Sequence, residues 1–179
     1  MRDHSEKARQ VILEIIRQSA GDSIVGTTKL FKAFYFAHLY HLRDFGTFLS
    51  LWPIVRMPRG PGIDNFHSLI DPLVTCGKVA KTGSHSGPFP TTRYTARRDL
   101  PTTSLSEAEV KSIHKAVAFT QGKRASRLSE ITHEYSRSWQ ESQNGDELRI
   151  SLDLMTDEEV AAVRAQHDEI ARDVAAIFG

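Results

Sequence analysis

The chain has 179 residues, 25% of them charged and 40% hydrophobic, with a formal net charge of +1. That length allows one domain with its own core, or one domain plus a helical appendage, and the balanced charge names no partner. No apolar run approaches the roughly 18–20 residues that span a bilayer, the polar opening MRDHSEKARQ lacks a signal-peptide core, and the single Cys76 excludes an intrachain disulfide or a cysteine zinc cluster. A cytoplasmic protein with no membrane partner is expected.

Ser5 to Ala20 reads as a first helix, because Ala8, Val11, Ile12, Ile15 and Ile16 recur at helical spacing and Gly21 can end it. Thr27 or Thr28 can cap a second helix, since a short hydroxyl accepts from first-turn amides. That helix is apolar on nearly all sides, through Leu30, Phe31, Phe34, Tyr35, Phe36, Leu39 and Leu42, and should be central to a core until it stops near Phe45-Gly46. Phe48 to Val55 reads as a short strand or extended segment broken at Pro53. Pro58, Gly60, Pro61 and Gly62 then read as a turn or loop. Ile63, Phe66, Leu69, Ile70 and Leu73 carry a third helical pattern up to Gly77, kinked or restarted at Pro72.

Lys78–Thr82 and Thr91–Ala96 read as two strands joined by the loop GSHSGPFP. Helices followed by a hairpin resemble a winged helix, and this segment carries Lys78, Lys81, Arg93, Arg97 and Arg98 with no acid. Asp99–Thr103 is linker-like. Ser104 or Ser106 opens a fourth helix at capping-box spacing from Glu107 or Glu109. Ser126–Glu134 is a short helix with Leu128 and Ile131 inward, followed by Trp139. Glu147–Leu152 alternates with period two and reads as a strand. Thr156 and Glu159 form a capping box for a final helix. Its seam is Val160, Val163, His167, Ile170, Val174 and Ile177. The expected fold is mainly α with minor β: a helical domain over residues 1–152 with a winged-helix-like hairpin, and a long C-terminal helix over 153–179 packed on it. Packing on the domain is the favoured role of that seam; pairing two copies as a homo-oligomer, for which the heptad run is short, and embracing a partner are the alternatives.

Three pieces occur in a recognisable order: Lys29-Leu30-Phe31-Lys32-Ala33-Phe34-Tyr35-Phe36-Ala37 with His41-Leu42-Arg43, then Pro58-Arg59-Gly60-Pro61, then Leu128-Ser129-Glu130-Ile131-Thr132-His133 with Trp139 after it. Together, over about Val11 to Leu152, they resemble the Panacea or SocA-like antitoxin domain, with its KLxKLLYFAdxxHLR helix, GPV-like turn and LSxxTH…W element. Phe31 and Phe34 stand where aliphatic residues are more usual, and Gly60-Pro61-Gly62 replaces GPV. The resemblance implies a mostly helical fold and a place in a bacterial or phage toxin–antitoxin pair. It further implies a protein that holds a cognate toxin inactive, or an adaptor that delivers it to a protease.

Other sites are weaker. His38 and His41 with Asp44 have helical spacing for a metal, but no third strong ligand lies near, so local hydrogen bonding of a buried helix is expected. Cys76 lacks a Cys-His signature. The Gly-containing loops lack phosphate-loop spacing and read as turns. The third helix offers two acids and no Lys or Arg to a DNA groove, which counts against a sequence-specific regulator. Trp139 is expected to anchor packing and His133 to be a hydrogen-bonded helix-end residue. No catalytic residues, cofactor or metal are expected. The expected function is that of a non-enzymatic antitoxin, with partner contacts at Trp52, Met57, Arg59 and Phe89 and steering by the basic hairpin. Protease delivery and wing-type DNA binding are the rivals.

Overall fold

The computed structural model describes residues 4–19, 21, 23–84, 90–99 and 104–178. Helix α1 (His4–Gln18) buries the predicted stripe Ala8, Val11, Ile12, Ile15 and Ile16. Strand β1 (Ser23–Val25) leads into α2 (Thr27–Phe45). The expected threonine cap is not used. Gly26 holds the N-cap position, and its amide donates to Thr92 O at 2.7 Å. The Thr27 hydroxyl instead meets Tyr94 Oη at 3.0 Å, because β1 draws the start of α2 onto a sheet. At the other end Gly46, with φ of +69°, closes the helix through its amide to Leu42 O. This is the left-handed termination that glycine adopts without a Cβ penalty.

Helix α2 is the centre of the core, with Leu30, Ala33, Phe34 and Ala37 wholly buried. It packs on α1 and on α4 (Glu107–Thr120). Ser106, not Ser104, caps α4: its hydroxyl accepts from Glu109 N, and the Glu109 carboxylate accepts from Ser106 N at 2.7 Å. Ser104 instead donates to Gln10.

The glycine- and proline-rich segment is a hairpin rather than a loop. Strands β2 (Ile54–Met57) and β3 (Gly60–Ile63) pair antiparallel from Ile54↔Ile63 to Met57↔Gly60, leaving only Pro58 and Arg59 in the turn. Pro61 is tolerated because β3 forms one edge of a two-stranded sheet. The Met57 side chain lies over Gly62, where a Cβ would have to displace it. Ile63, expected in the third helix, therefore lies in β3. That helix, α3, is Phe66–Thr75 and runs through Pro72 to end one turn later.

Strands β4 (Val79–Ser84) and β5 (Thr91–Ala96) form the predicted hairpin, and β1 joins it to give the order β1-β5-β4. Helix, strand, helix, helix and hairpin follow the order of a winged helix, with β2–β3 inserted between α2 and α3. The chain is mainly α with minor β. Helices α5 (Ala125–Tyr135) and α6 (Arg137–Glu141) follow.

The strand expected over 147–152 is absent. Glu147 makes one bridge to Val55, and Ile150–Leu154 is a 3₁₀ turn. The turn brings Asp153 back to accept from Tyr35 Oη at 2.7 Å, Ser138 N at 2.7 Å and the Ser136 and Ser138 hydroxyls. Helix α7 (Asp157–Phe178) starts at the predicted capping box. Of the seam expected to pack on the domain, Val160 is buried, whereas Val163, Ile170 and Val174 are exposed. Residues 161–172 run along solvent, tied to α6 by Arg164–Glu141.

Candidate functional site

The three motif pieces, spread from Lys29 to Trp139, converge at one place. Lys32 lies on the face of α2 that packs against β3 and is only 1% exposed. Its ammonium donates to Pro61 O at 3.2 Å, the single hydrogen bond it makes among the described residues. Burial alone pulls its pKa down to about 7, and no carboxylate offsets that burial. Gly60 passes so close that a Cβ would collide with both Lys32 Nζ and Thr132 Oγ1. Its φ of +100° is likewise a conformation that suits glycine.

Trp139 closes the far side. Its indole donates to Met57 O at 2.8 Å, and its ring stacks on His133, centroids 4.0 Å apart and 12° from parallel. The Arg56 guanidinium lies 4.3 Å from the ring centroid on Trp139 and donates from Nε to Trp139 O at 3.1 Å. Trp139 is thus the expected packing anchor. His133 departs from expectation: its Nε2 is buried without a hydrogen-bond partner. Burial, then the charges of Lys32 and Arg56, hold the imidazole below its ordinary pKa.

Two adjoining cavities open beside this cluster, sharing Thr28 and Arg59. One, of about 220 Å³, is lined by Phe31, Lys32, Met57 and Pro58–Pro61. The other, of about 330 Å³, is lined by Ala125, Ser126, Ser129, Glu130 and His133. Met57 and Arg59, two of the expected partner contacts, therefore sit at this site, with Arg59 exposed at the turn tip.

Trp52 lies at the opposite end of β2. Its indole donates to Asp64 O at 2.8 Å, and it packs against the core beside a separate cavity of about 130 Å³. The exposed apolar residues there are its neighbours Phe48, at 54%, and Leu51, at 62%, which sequence reasoning did not single out. Phe89 lies outside the described residues.

The basic residues are on the other sheet. Register places Lys78, Arg93 and Arg97 on one face and Lys81, opposite Tyr94, on the other. All five, with Arg98, are exposed. Arg97 is engaged by Asp99 and Arg93 donates to Ser23 Oγ.

His38 is held by nearby hydrogen bonds as expected, whereas His41 is held in part by a bond across to α4. His38 meets Phe34 O at 2.8 Å and Ser50 Oγ at 2.7 Å; His41 meets Ser112 Oγ at 3.0 Å and Thr47 Oγ1 at 3.3 Å. Cys76 is exposed at the end of α3.

With these pieces in place, comparison with known families is decisive. Residues 30–140 match the family described as antitoxin SocA-like, Panacea domain. The chain belongs to that family. The match begins at α2 and ends just past Trp139, so it encloses the whole convergence around Lys32. No curated protein and no solved structure matches the chain. None of the described helices of this Panacea-domain protein is long and apolar enough to cross a membrane.

Proposed function

We propose that this Panacea-domain protein is a non-enzymatic antitoxin that neutralises a cognate toxin by direct contact. Membership of the antitoxin family is the observation that carries this reading. An exposed apolar surface supports it. Phe45, Phe48 and Leu51 stand out from the end of α2 and the segment after it, beside the Trp52-lined cavity. Such a patch on an irregular segment is a surface that a partner can desolvate. Lys78, Lys81, Arg93 and Arg98 on the hairpin add long-range steering toward an acidic partner. Groove reading of DNA is disfavoured, because α3 exposes His67, Asp71, Pro72 and Thr75 and carries no Lys or Arg.

The test is co-expression with the product of the neighbouring gene. That product alone should arrest growth, and the chain should restore it. Phe48→Asp with Leu51→Asp should abolish rescue while the chain stays folded. Steady toxin levels during rescue indicate occlusion, and falling levels indicate delivery to a protease. Rescue that survives both substitutions would remove this surface from the mechanism, and absence of any rescue would end the antitoxin reading.

A further inference from the structure

The walls shared by the two cavities beside Lys32 carry donors that nothing in the protein uses. Arg59 makes no ion pair or hydrogen bond among the described residues. The hydroxyls of Thr28, Ser126 and Ser129 likewise have no protein partner there. The surrounding helices add more. Thr28 lies in the first turn of α2 and Ser126 in the first turn of α5, and neither helix has a side-chain cap. The first turns of both helices, where backbone amides lack intrahelical acceptors, thus border the cavities.

On the same linings, Lys32 is buried with one acceptor for its three donors, and His133 Nε2 is buried with none. Arg56 adds a further cation across Trp139. The one acid on the cavity lining is Glu130, which is exposed and paired with Arg127 at 3.0 Å. A buried ammonium with a single protein acceptor, beside a buried ring nitrogen with none, is uncommon in native proteins.

We propose that the cavity pair bounded by Thr28, Arg59, Ser126 and Ser129 is a binding site for a single phosphate group. A phosphate offers several acceptor oxygens and a double negative charge. That suits a guanidinium fork, three hydroxyls and two helix starts better than the two oxygens of a carboxylate do. The cavities, of about 220 and 330 Å³, lie at or below the lower end of small-molecule sites. They fit an inorganic phosphate or the phosphate of a monoester rather than a large ligand. Lys32, on the lining of the smaller cavity, adds its positive charge when protonated, and an anion bound there favours that form. The proposal is independent of toxin binding and is testable without a partner.

The experiment is a backbone-amide NMR titration of the intact chain at neutral pH with inorganic phosphate, adenosine monophosphate, acetate and chloride at matched ionic strength. Saturable shifts at Thr28, Lys29, Ser126 and Arg127 are expected with phosphate. Acetate should bind about tenfold more weakly or worse, and Arg59→Gln and Lys32→Met should each weaken phosphate about tenfold or more. Arg59 is exposed and Lys32→Met preserves shape without a buried charge, so both variants should fold; Lys111→Gln on the exposed face of α4 should leave binding unchanged. Tighter binding of adenosine monophosphate than phosphate would assign the site to a nucleotide monoester, and equal binding would assign it to the free ion. Linear shifts alike for phosphate and chloride, acetate binding as tightly as phosphate, or indifference to both variants would overturn the proposal.

Discussion

Gly60→Ala tests whether the convergence around Lys32 is as tight as it looks. Two costs add at this position. Gly60 has φ of +100°, and holding an alanine there costs about 1–3 kcal/mol of backbone strain. The new Cβ also collides with Lys32 Nζ and Thr132 Oγ1. Lys32 is long, but at 1% exposure it has nowhere to go without giving up Pro61 O. Thr132 is short, β-branched and buried, with its hydroxyl already bonded to Leu128 O and Ser129 O. Overpacking of such a site costs a further 1–3 kcal/mol or so. The total, about 2–6 kcal/mol, is a large part of the 5–15 kcal/mol that folds a typical protein. Gly122→Ala is the control: its φ is +73°, but a Cβ there meets nothing within 4 Å, so only a backbone cost of about 1–2 kcal/mol remains. In urea, with a slope of about 2 kcal/mol/M, the Gly60 variant should lose about 1–3 M of midpoint against about 0.5–1 M for the control. Thr132→Ala in the Gly60→Ala background should recover part of the loss, with a coupling of at least about 0.5 kcal/mol. Equal losses for the two glycine variants, with no coupling to Thr132, would refute the close approach.

Lys32 also makes stability depend on pH. Its pKa is about 7 in the folded protein and about 10.5 when unfolded, so between those values the unfolded chain binds more protons and stability rises with pH. The slope from this one group is at most about 1.4 kcal/mol per pH unit, and Lys32→Met should flatten it in urea melts between about pH 7.5 and 9.5. His38, buried and held to about 4, runs in the same direction at lower pH: stability is lost as pH falls below its unfolded value, by about 3 kcal/mol at pH 4. Its ring resonances should stay in the neutral form until about pH 4. Phe48→Asp with Leu51→Asp, both on exposed side chains, should change stability by no more than about 0.5 kcal/mol each, which separates their effect on toxin rescue from unfolding. Deleting residues 161–178 should cost about 1 kcal/mol or less, because Val160 is retained and the Arg164–Glu141 pair that is lost is exposed. If α7 pairs two copies, the same deletion converts a dimer to a monomer in sedimentation.

Local rules made most helices legible. The stripe of α1, the all-round apolarity of α2 and the capping boxes before α4 and α7 are features of neighbouring residues, and the structure retains each. What escaped the sequence depends on distant partners. Strand β1 has three residues, too few for a period, and exists because it pairs with β5 some seventy residues on. Gly60–Ile63 has the composition of a loop, yet it is a strand because β2 supplies its partner, with the Met57 side chain lying over Gly62. Leu148, Ile150 and Leu152 alternate as a strand would, but Asp153 has four donors to satisfy, and the chain turns tightly to deliver it. The site shows the same division. Each motif piece could be read in the sequence, but nothing there marked Lys32 as a buried cation. That Lys32, Gly60, Thr132 and Trp139 meet is a tertiary fact.

The arrangement separates what holds this domain together from what it shows to others. Around Lys32, a helix, a hairpin and the α5–α6 pair are locked by contacts that leave no room even for a methyl group at Gly60. Phe48 and Leu51, by contrast, face solvent on an irregular segment that begins where Gly46 ends α2. A change of partner surface can therefore be made there at little cost to folding, whereas the residues that mark the family cannot change without unsettling the join of three remote segments. The same logic makes the Arg59 turn distinctive. It is exposed at its tip yet rigid at its base, since Met57 O is fixed by Trp139 and Pro61 O by Lys32. The backbone that carries Arg59 is therefore fixed in place, while its exposed side chain still pays its own rotamer entropy on closing on an anion.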